Sequence, residues 1–290
     1  MLWWSSTSRH IARGLFVVIG IIVFALPMMA IAIAAFSDSW TGLVPSGWTA
    51  GHLREALSGE NLASLSVSVQ TAVIASVISV VLGVTTAILA RGAPTWLATL
   101  AAGVFHIPVA VPSVAIGLGI LIAFNEPPLI LGGRAGIVVV AHTVLVLAFA
   151  YSSVAAAARH IDPGLYRVAE SLGASPMRIL FTVTLPLLAS AIGGAAGLSL
   201  ALSMGELGAT AMVYPPTWRT LPAKIYGLAE HGDTLLAAAC TLVLLVVVVV
   251  ALATVSQMPG AKTTSGLLGR GRRVFRFPRN ALQECTNQRT

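Results

Sequence analysis

Few side chains in this sequence are able to do chemistry, and most of those stand in apolar surroundings. Glu206, in S-M-G-E-L-G-A-T, falls inside a long apolar run, and an ionisable group at membrane depth marks a pathway or a gate. It could instead be an interfacial carboxylate paired with Arg219 or Lys224. Those two cations, in W-R-T-L-P-A-K, could steer an anion, meet a partner protein or be solvated loop charges. His106 and His142 lie near or within apolar runs with no second ligand at a useful spacing, so packing or hydrogen bonding is expected and no metal site is assigned. Cys240 sits in an apolar run and Cys285 in a basic tail, which predicts no disulfide framework. No nucleophile, base and orienting group converge, so no catalytic residue is assigned. The nearest approach to a nucleotide-binding G-x-x-x-x-G-K-[ST] is P-G-A-K-T-T at Pro259 to Thr264, which lacks the glycine before Lys262. Energy for any ATP-driven step would come from another polypeptide.

The elements that position these groups are membrane spans. Hydrophobic residues make up 57% of the chain and charged residues 9%, against about 25% charged in a soluble domain. Runs of about 20 apolar residues, the length a bilayer core requires, recur through the chain. The reading is an all-α integral membrane protein with six transmembrane helices. After an N-terminus over 1–13, the first span covers 14–36; it is too long for a signal-peptide core. Residues 37–61 are polar and turn-rich, with Trp40 and Trp48 suited to an interface and a short helix at His52 to Leu57. The core over 62–255 holds spans at 62–90, 96–124, 135–158, 187–213 and 234–255, with loops at 125–134 and 214–233. In the third span Pro108 and Pro112 each remove a backbone donor, so a bent or locally unwound helix beside the pathway is expected. Gly193 and Gly197 form a G-x-x-x-G in the fifth span, suited to close helix contact and a dimer interface. Glu206 lies twenty residues beyond Pro186, which at 1.5 Å per residue is about 30 Å and places it near the outer membrane face.

Charge sets the orientation. Six spans put both termini on one side, and that side holds 13 of the 17 lysines and arginines; only Arg54, Arg134, Arg219 and Lys224 lie opposite. Both termini are therefore expected in the cytoplasm, together with the turn over 159–186 and a basic, flexible tail over 256–290. The net charge of +7 is thereby assigned to topology and not to nucleic acid.

Within that turn, Asp162-Pro163 signals a helix start, Leu165, Val168, Ala169 and Leu172 recur at helical spacing, and Gly173 ends the helix. Ser175-Pro176 starts a second piece leading to Leu185-Pro186. The stretch Tyr166 to Pro186 resembles the cytoplasmic "EAA" loop of permease subunits of binding-protein-dependent ABC importers. Ala169, Gly173, Val183 and Leu185-Pro186 fall on that pattern, while Arg167 stands where the family's Glu belongs and Val168 where its first Ala belongs. Glu170 is nearby but out of register, so the ion pair made by the family's Glu does not carry over to Arg167.

The resemblance implies a type I ABC importer permease in the inner membrane. It further implies that Tyr166, Arg167, Ala169, Glu170, Leu172, Gly173, Ala174, Ser175 and Pro176 couple it to an ABC ATPase dimer. It implies as well that ATP and Mg belong to that ATPase and not to this chain. The further partners implied are a second permease subunit, identical or not, and an extracytoplasmic substrate-binding protein, with lipid around the spans. H-I-P-V-A-V-P-S-V-A-I-G-L-G and G-E-L-G-A-T-A-M-V-Y-P-P-T-W-R-T-L-P resemble the subgroup serving phosphonate, molybdate, sulfate, ferric iron, thiamine and polyamines. Within it, Tyr-Pro-Pro followed by Thr-Leu-Pro is most similar to subunits for 2-aminoethylphosphonate. An ion-coupled secondary carrier would need inverted repeats, and an intramembrane enzyme would need a convergent catalytic cluster; neither is visible.

Overall fold

The computed structural model describes residues 6–42, 44–128 and 130–257. Helix α1 (Ser6–Ala35) leads into a hairpin of β1 (Ser37–Ser39) and β2 (Ser46–Trp48), paired antiparallel with Ser37 opposite Trp48. The short α2 (Gly51–Ala56) precedes α3 (Gly59–Gly92), α4 (Thr95–Ala110), α5 (Ser113–Ala123) and α6 (Ala135–Arg159). Then come α7 (Pro163–Ser171), α8 (Pro176–Ile179), a π-helical turn over Leu180–Thr184, and α9 (Leu185–Met204). Last are α10 (Gly208–Val213), a 3-10 turn over Pro216–Trp218, α11 (Leu221–Glu230) and α12 (Thr234–Ser256). Five helical runs are each long and apolar enough to cross a membrane, and α4 with α5 forms a sixth such element bent by 108°.

Contacts along α3 and α6 fix the direction of the chain. Ser79 Oγ donates to Thr143 O at 3.1 Å, Gly83 abuts the backbone of Ala150 and Tyr151, and Arg91 Nη2 donates to Ile161 O at 3.2 Å. The two helices therefore run parallel, and the chain must return across the membrane between them. The bent α4–α5 pair makes that single crossing. Its bend has the cause read from the sequence: Pro108 and Pro112 lack N–H groups, and a new helix starts where Ala115 N and Ile116 N both turn onto Pro112 O.

Small residues let α3 and α6 approach. Ala72, Ala75, Ser76, Ser79, Gly83 and Ala87 are buried along α3, the composition that drives helix association where lipid supplies no hydrophobic gain. One apolar cluster, around Ala35, Ala56, Leu65, Leu221 and Cys240, closes the end of the molecule where α3 begins. Another, around Ala87, Tyr151, Val154, Ala158 and Leu188, lies toward the opposite end, beneath α7.

Two differences from the sequence reading bear on the site. The fifth span does not run on to Val213: the helix stops at Met204, and Gly205 to Leu207 form a break before α10. The loop expected over 214–233 contains the ten-residue α11, with Thr220 as its cap residue and Pro222 in its first turn. A run of this length is too short to span a membrane, and its helix start lies in Thr220 and Pro222. Of the tail over 256–290, everything beyond Gln257 lies outside the described residues, including Cys285 and the Pro259 to Thr264 stretch.

Candidate functional site

α7 is built by local chemistry at both of its ends. Asp162 Oδ1 accepts from Gly164 N at 2.8 Å, and Pro163 occupies the first turn, where its missing donor costs nothing. At the other end Gly173 N donates to Glu170 O (2.9 Å) and Ala174 N to Ala169 O (3.1 Å), with Gly173 at φ +78°. This is a Schellman closure, which requires a left-handed residue at that position. Ser175 Oγ accepts from Arg178 N at 3.4 Å ahead of Pro176, starting α8. The chain then widens into the π turn, in which Leu185 N reaches five residues back to Leu180 O. The widening falls immediately before Pro186, which has no N–H for the carbonyl four residues behind it.

The two faces of α7 differ. Tyr166 points inward: its hydroxyl accepts from Arg91 Nη1 and from Thr184 Oγ1 (3.4 Å), and the Arg91 guanidinium sits 4.7 Å from its ring centroid. Arg91 belongs to the end of α3, so α7 is clamped to the span bundle through one cation. On the other side Leu165, Val168 and Leu172 are 46%, 59% and 82% exposed, and Met177 and Phe181 beyond them are exposed too. Arg167, Glu170, Gly173, Ser175 and Pro176 are exposed, while Ala169 and Ala174 are half-buried. An apolar stripe on a short polar-flanked helix is an interaction surface, for a protein or for the membrane.

Pro108 and Glu206 come together some distance away, around a cavity of about 210 Å³ that Ser113, His142, Phe149 and Ser203 also line. Pro112 stands in the adjoining bend. His142 is buried and bridges two elements, with Nδ1 2.7 Å from Ser203 Oγ of α9 and Nε2 2.7 Å from Thr210 Oγ1 of α10. Glu206 is half-buried in the break, not inside a helix, and its Oε1 accepts from Ala209 N at 2.8 Å. Its carboxylate thus caps the first turn of α10, and the break is where the sequence reading placed continuous helix. His142 is seven residues from the start of α6 and seventeen from its end. At 1.5 Å per residue the cavity lies about 10 Å from one end and about 26 Å from the end carrying α7.

Neither pairing considered for Glu206 is formed. Lys224 Nζ lies 2.7 Å from Glu60 Oε2, and Arg219 Nη2 donates to Ala223 O at 3.0 Å. Within this chain Gly197 faces Val255 and Leu252 of α12, while the Cβ direction of Gly193 is open. His106 also hydrogen-bonds, through Nδ1 to Ala102 O (2.6 Å) and Nε2 to Ser152 Oγ (2.8 Å). The sequence reading missed the Arg91 clamp, the His142 bridge and the close approach at Gly83. Arg91 marked the end of a span, but no local signal pointed to Tyr166, 75 residues on.

Residues 79–257 match the family model described as "Binding-protein-dependent transport system inner membrane component". The chain is 43% identical over 248 residues to the putative 2-aminoethylphosphonate transport system permease protein PhnV of Salmonella typhimurium (strain LT2), covering 84% of this chain and 92% of that one. It is 35% identical over 264 residues to the molybdenum transport system permease protein ModB of Mycobacterium tuberculosis (strain H37Rv), covering 85% and 92%. The fold matches the crystal structure of a bacterial ABC transporter involved in import of the acidic polysaccharide alginate, with a TM-score of 0.69 at 18% identity, over 87% of this chain and 95% of that one. A multi-pass bundle, a clamped surface helix and these matches agree: the chain belongs to the binding-protein-dependent transport system inner membrane component family and is a permease subunit of an ABC importer.

Proposed function

We propose that this permease subunit carries a small phosphonate, such as 2-aminoethylphosphonate, inward across the bacterial inner membrane. An extracytoplasmic binding protein delivers the substrate, and a separate ABC ATPase dimer drives the step by gripping α7 from the cytoplasm. The observation that carries the reading is the two-faced α7: Leu165, Val168 and Leu172 outward, Tyr166 locked to α3 through Arg91. A partner closing on the outward face moves the bundle as a body, because the clamp passes the displacement into a span. The positive-side charge distribution supports cytoplasmic termini. ATP and Mg are held by the ATPase, and this chain supplies coupling and path without catalytic or metal-binding residues. A second permease subunit, identical or related, completes the path. The exposure of α4, which contributes no buried residue, supports a surface covered by that subunit or by lipid.

The phosphonate rests on the name of the 43% identical relative. The 35% identical molybdenum permease supports molybdate as the second reading. Purification of the tagged chain from native membranes in mild detergent tests the machinery, comparing wild type with Leu172→Glu and Gly173→Arg. An ATPase recovered with wild type and lost from both variants supports the reading; a folded wild-type complex without an ATPase refutes it. Growth of a permease-deleted strain on 2-aminoethylphosphonate as phosphorus source, restored by this chain, separates the phosphonate from molybdate.

A further inference from the structure

At the end of the molecule opposite α7, the chain over 207–231 lines a half-open cavity of about 560 Å³ against α5. That end is fixed to the start of α3 by three tethers. Trp218 Nε1 donates to Thr71 Oγ1 (3.0 Å), Leu221 N to Ser68 Oγ (2.7 Å), and Lys224 pairs with Glu60 (2.7 Å).

Arg219 lines this cavity. Its Nη2 is held by Ala223 O at 3.0 Å, and its guanidinium lies 6.0 Å from the Tyr214 ring centroid. The guanidinium occupies the place that a side chain at residue 227 would take, and Gly227 leaves that place free. Its Nε is buried without a hydrogen-bond partner, and among the described residues Arg219 makes no ion pair. Lys224, the neighbouring cation, is already neutralised. A guanidinium held in place outside any ion pair, near enough to Glu60 for that carboxylate to feel its charge, suits the oxygens of a phosphonate or phosphate. One turn beyond Gly227, Glu230 lines the same cavity together with Tyr226. The hydrogen bond to the Glu230 carboxylate, and that charge beside it, hold the Tyr226 phenol above its ordinary pKa. A cation and an anion thus face one space large enough for a small molecule. Leu207 and Gly208 form part of its wall, so it backs onto the break that carries Glu206.

We propose that this cavity is a subsite for a small ammonium–phosphonate zwitterion, with the phosphonate on Arg219 and the ammonium on the Glu230 carboxylate. It receives the substrate on the face opposite α7, before passage through the α9–α10 break. The inference rests on the importer reading and adds the residues that would hold its cargo. A phosphatidylethanolamine headgroup offers the same two charges, so the lipid must be separated from the soluble molecule.

The test uses the full chain in nanodiscs of phosphatidylcholine and phosphatidylglycerol, with phosphorus NMR line broadening of added 2-aminoethylphosphonate as readout and methylphosphonate as the probe lacking an ammonium. Wild type should broaden the 2-aminoethylphosphonate signal, and Arg219→Gln should weaken that binding by at least about tenfold, the loss of one charge-assisted contact. Glu230→Gln should bring 2-aminoethylphosphonate down to the level of methylphosphonate while leaving methylphosphonate unchanged. A purely structural Arg219 would not produce that probe-selective effect, and the Glu230 comparison decides the matter should Arg219→Gln fail to fold. No broadening with wild type, or equal behaviour of both probes in wild type and Glu230→Gln, overturns the subsite. Abolition of the broadening by phosphatidylethanolamine in the discs assigns the cavity to lipid and overturns it too. ATPase capture by the same preparations keeps the two proposals apart: capture without broadening removes the subsite alone, and absence of capture by wild type removes the proposed coupling through α7.

Discussion

Replacing Arg91 by alanine should unseat α7 without touching its outward face. Arg91 holds Tyr166 by a hydrogen bond to the hydroxyl and by its position 4.7 Å from the ring centroid, and it also donates to Ile161 O at 3.2 Å. An exposed cation–π contact contributes about 0.5–1 kcal/mol, and a net hydrogen bond about 0.5–1.5 kcal/mol. The Arg91–Tyr166 interaction is therefore worth about 1–2.5 kcal/mol, which lowers the ratio of seated to unseated α7 by about 5- to 70-fold. Hydrogen exchange of the α7 amides reads that ratio directly, because local opening sets their rate. Arg91→Ala should speed exchange over Pro163–Ser171 by that factor while the α6 amides keep their protection. Tyr166→Phe should produce a smaller change, since the ring remains under the guanidinium, and the double variant should fall short of the sum. In proteoliposomes the ATPase should still be captured by Arg91→Ala, with less substrate moved per ATP hydrolysed. Unchanged α7 exchange in Arg91→Ala, or strict additivity with Tyr166→Phe, would refute the clamp.

Three further outcomes follow from the same geometry. Gly83→Ala places a methyl 2.8 Å from Tyr151 N and 3.0 Å from the Ala150 carbonyl carbon; forcing α3 from α6 should cost about 1–3 kcal/mol, read as a lower thermal midpoint in detergent. Gly173→Ala has open space around its Cβ but must adopt φ +78°, a cost of about 1–2 kcal/mol. Asn, which tolerates that region, should retain more ATPase capture than Ala. Glu206→Ala removes the cap on α10 and should cost about 0.5–2 kcal/mol. Glu206→Gln keeps an acceptor oxygen and should assemble normally, so reduced uptake by it would point to the carboxylate charge at the gate.

What was legible in the sequence was what local chemistry decides. Asp162-Pro163, Gly173 and Ser175-Pro176 are written as caps and stops, and α7 and α8 begin and end on them. Pro108 and Pro112 announced the bend between α4 and α5 because a missing N–H is visible in one letter. Glu206 lies toward the end away from α7, as its distance from Pro186 predicts, but the break around it is not legible, because Gly205 and Gly208 in an apolar run are equally consistent with a continuous helix. The break became visible only with the carboxylate on Ala209 N. The Arg91–Tyr166 clamp, the His142 bridge and the fit of Arg219 over Gly227 join residues that no periodicity links, and only packing reveals them. Arg219 and Lys224 looked alike as loop cations, yet Lys224 is paired with Glu60 and Arg219 is left to face a cavity.

The central claim is that α7 is the handle on which an ATPase pulls. A photo-crosslinking residue at position 172, where Leu172 is 82% exposed, tests it in the native membrane, with the same residue at Trp48, on the hairpin beside the start of α3, as control. The account predicts a crosslink from position 172 to an ABC ATPase and none to that ATPase from position 48. An ATPase that co-purifies with the chain but never crosslinks at position 172, or crosslinks equally at both positions, would contradict it.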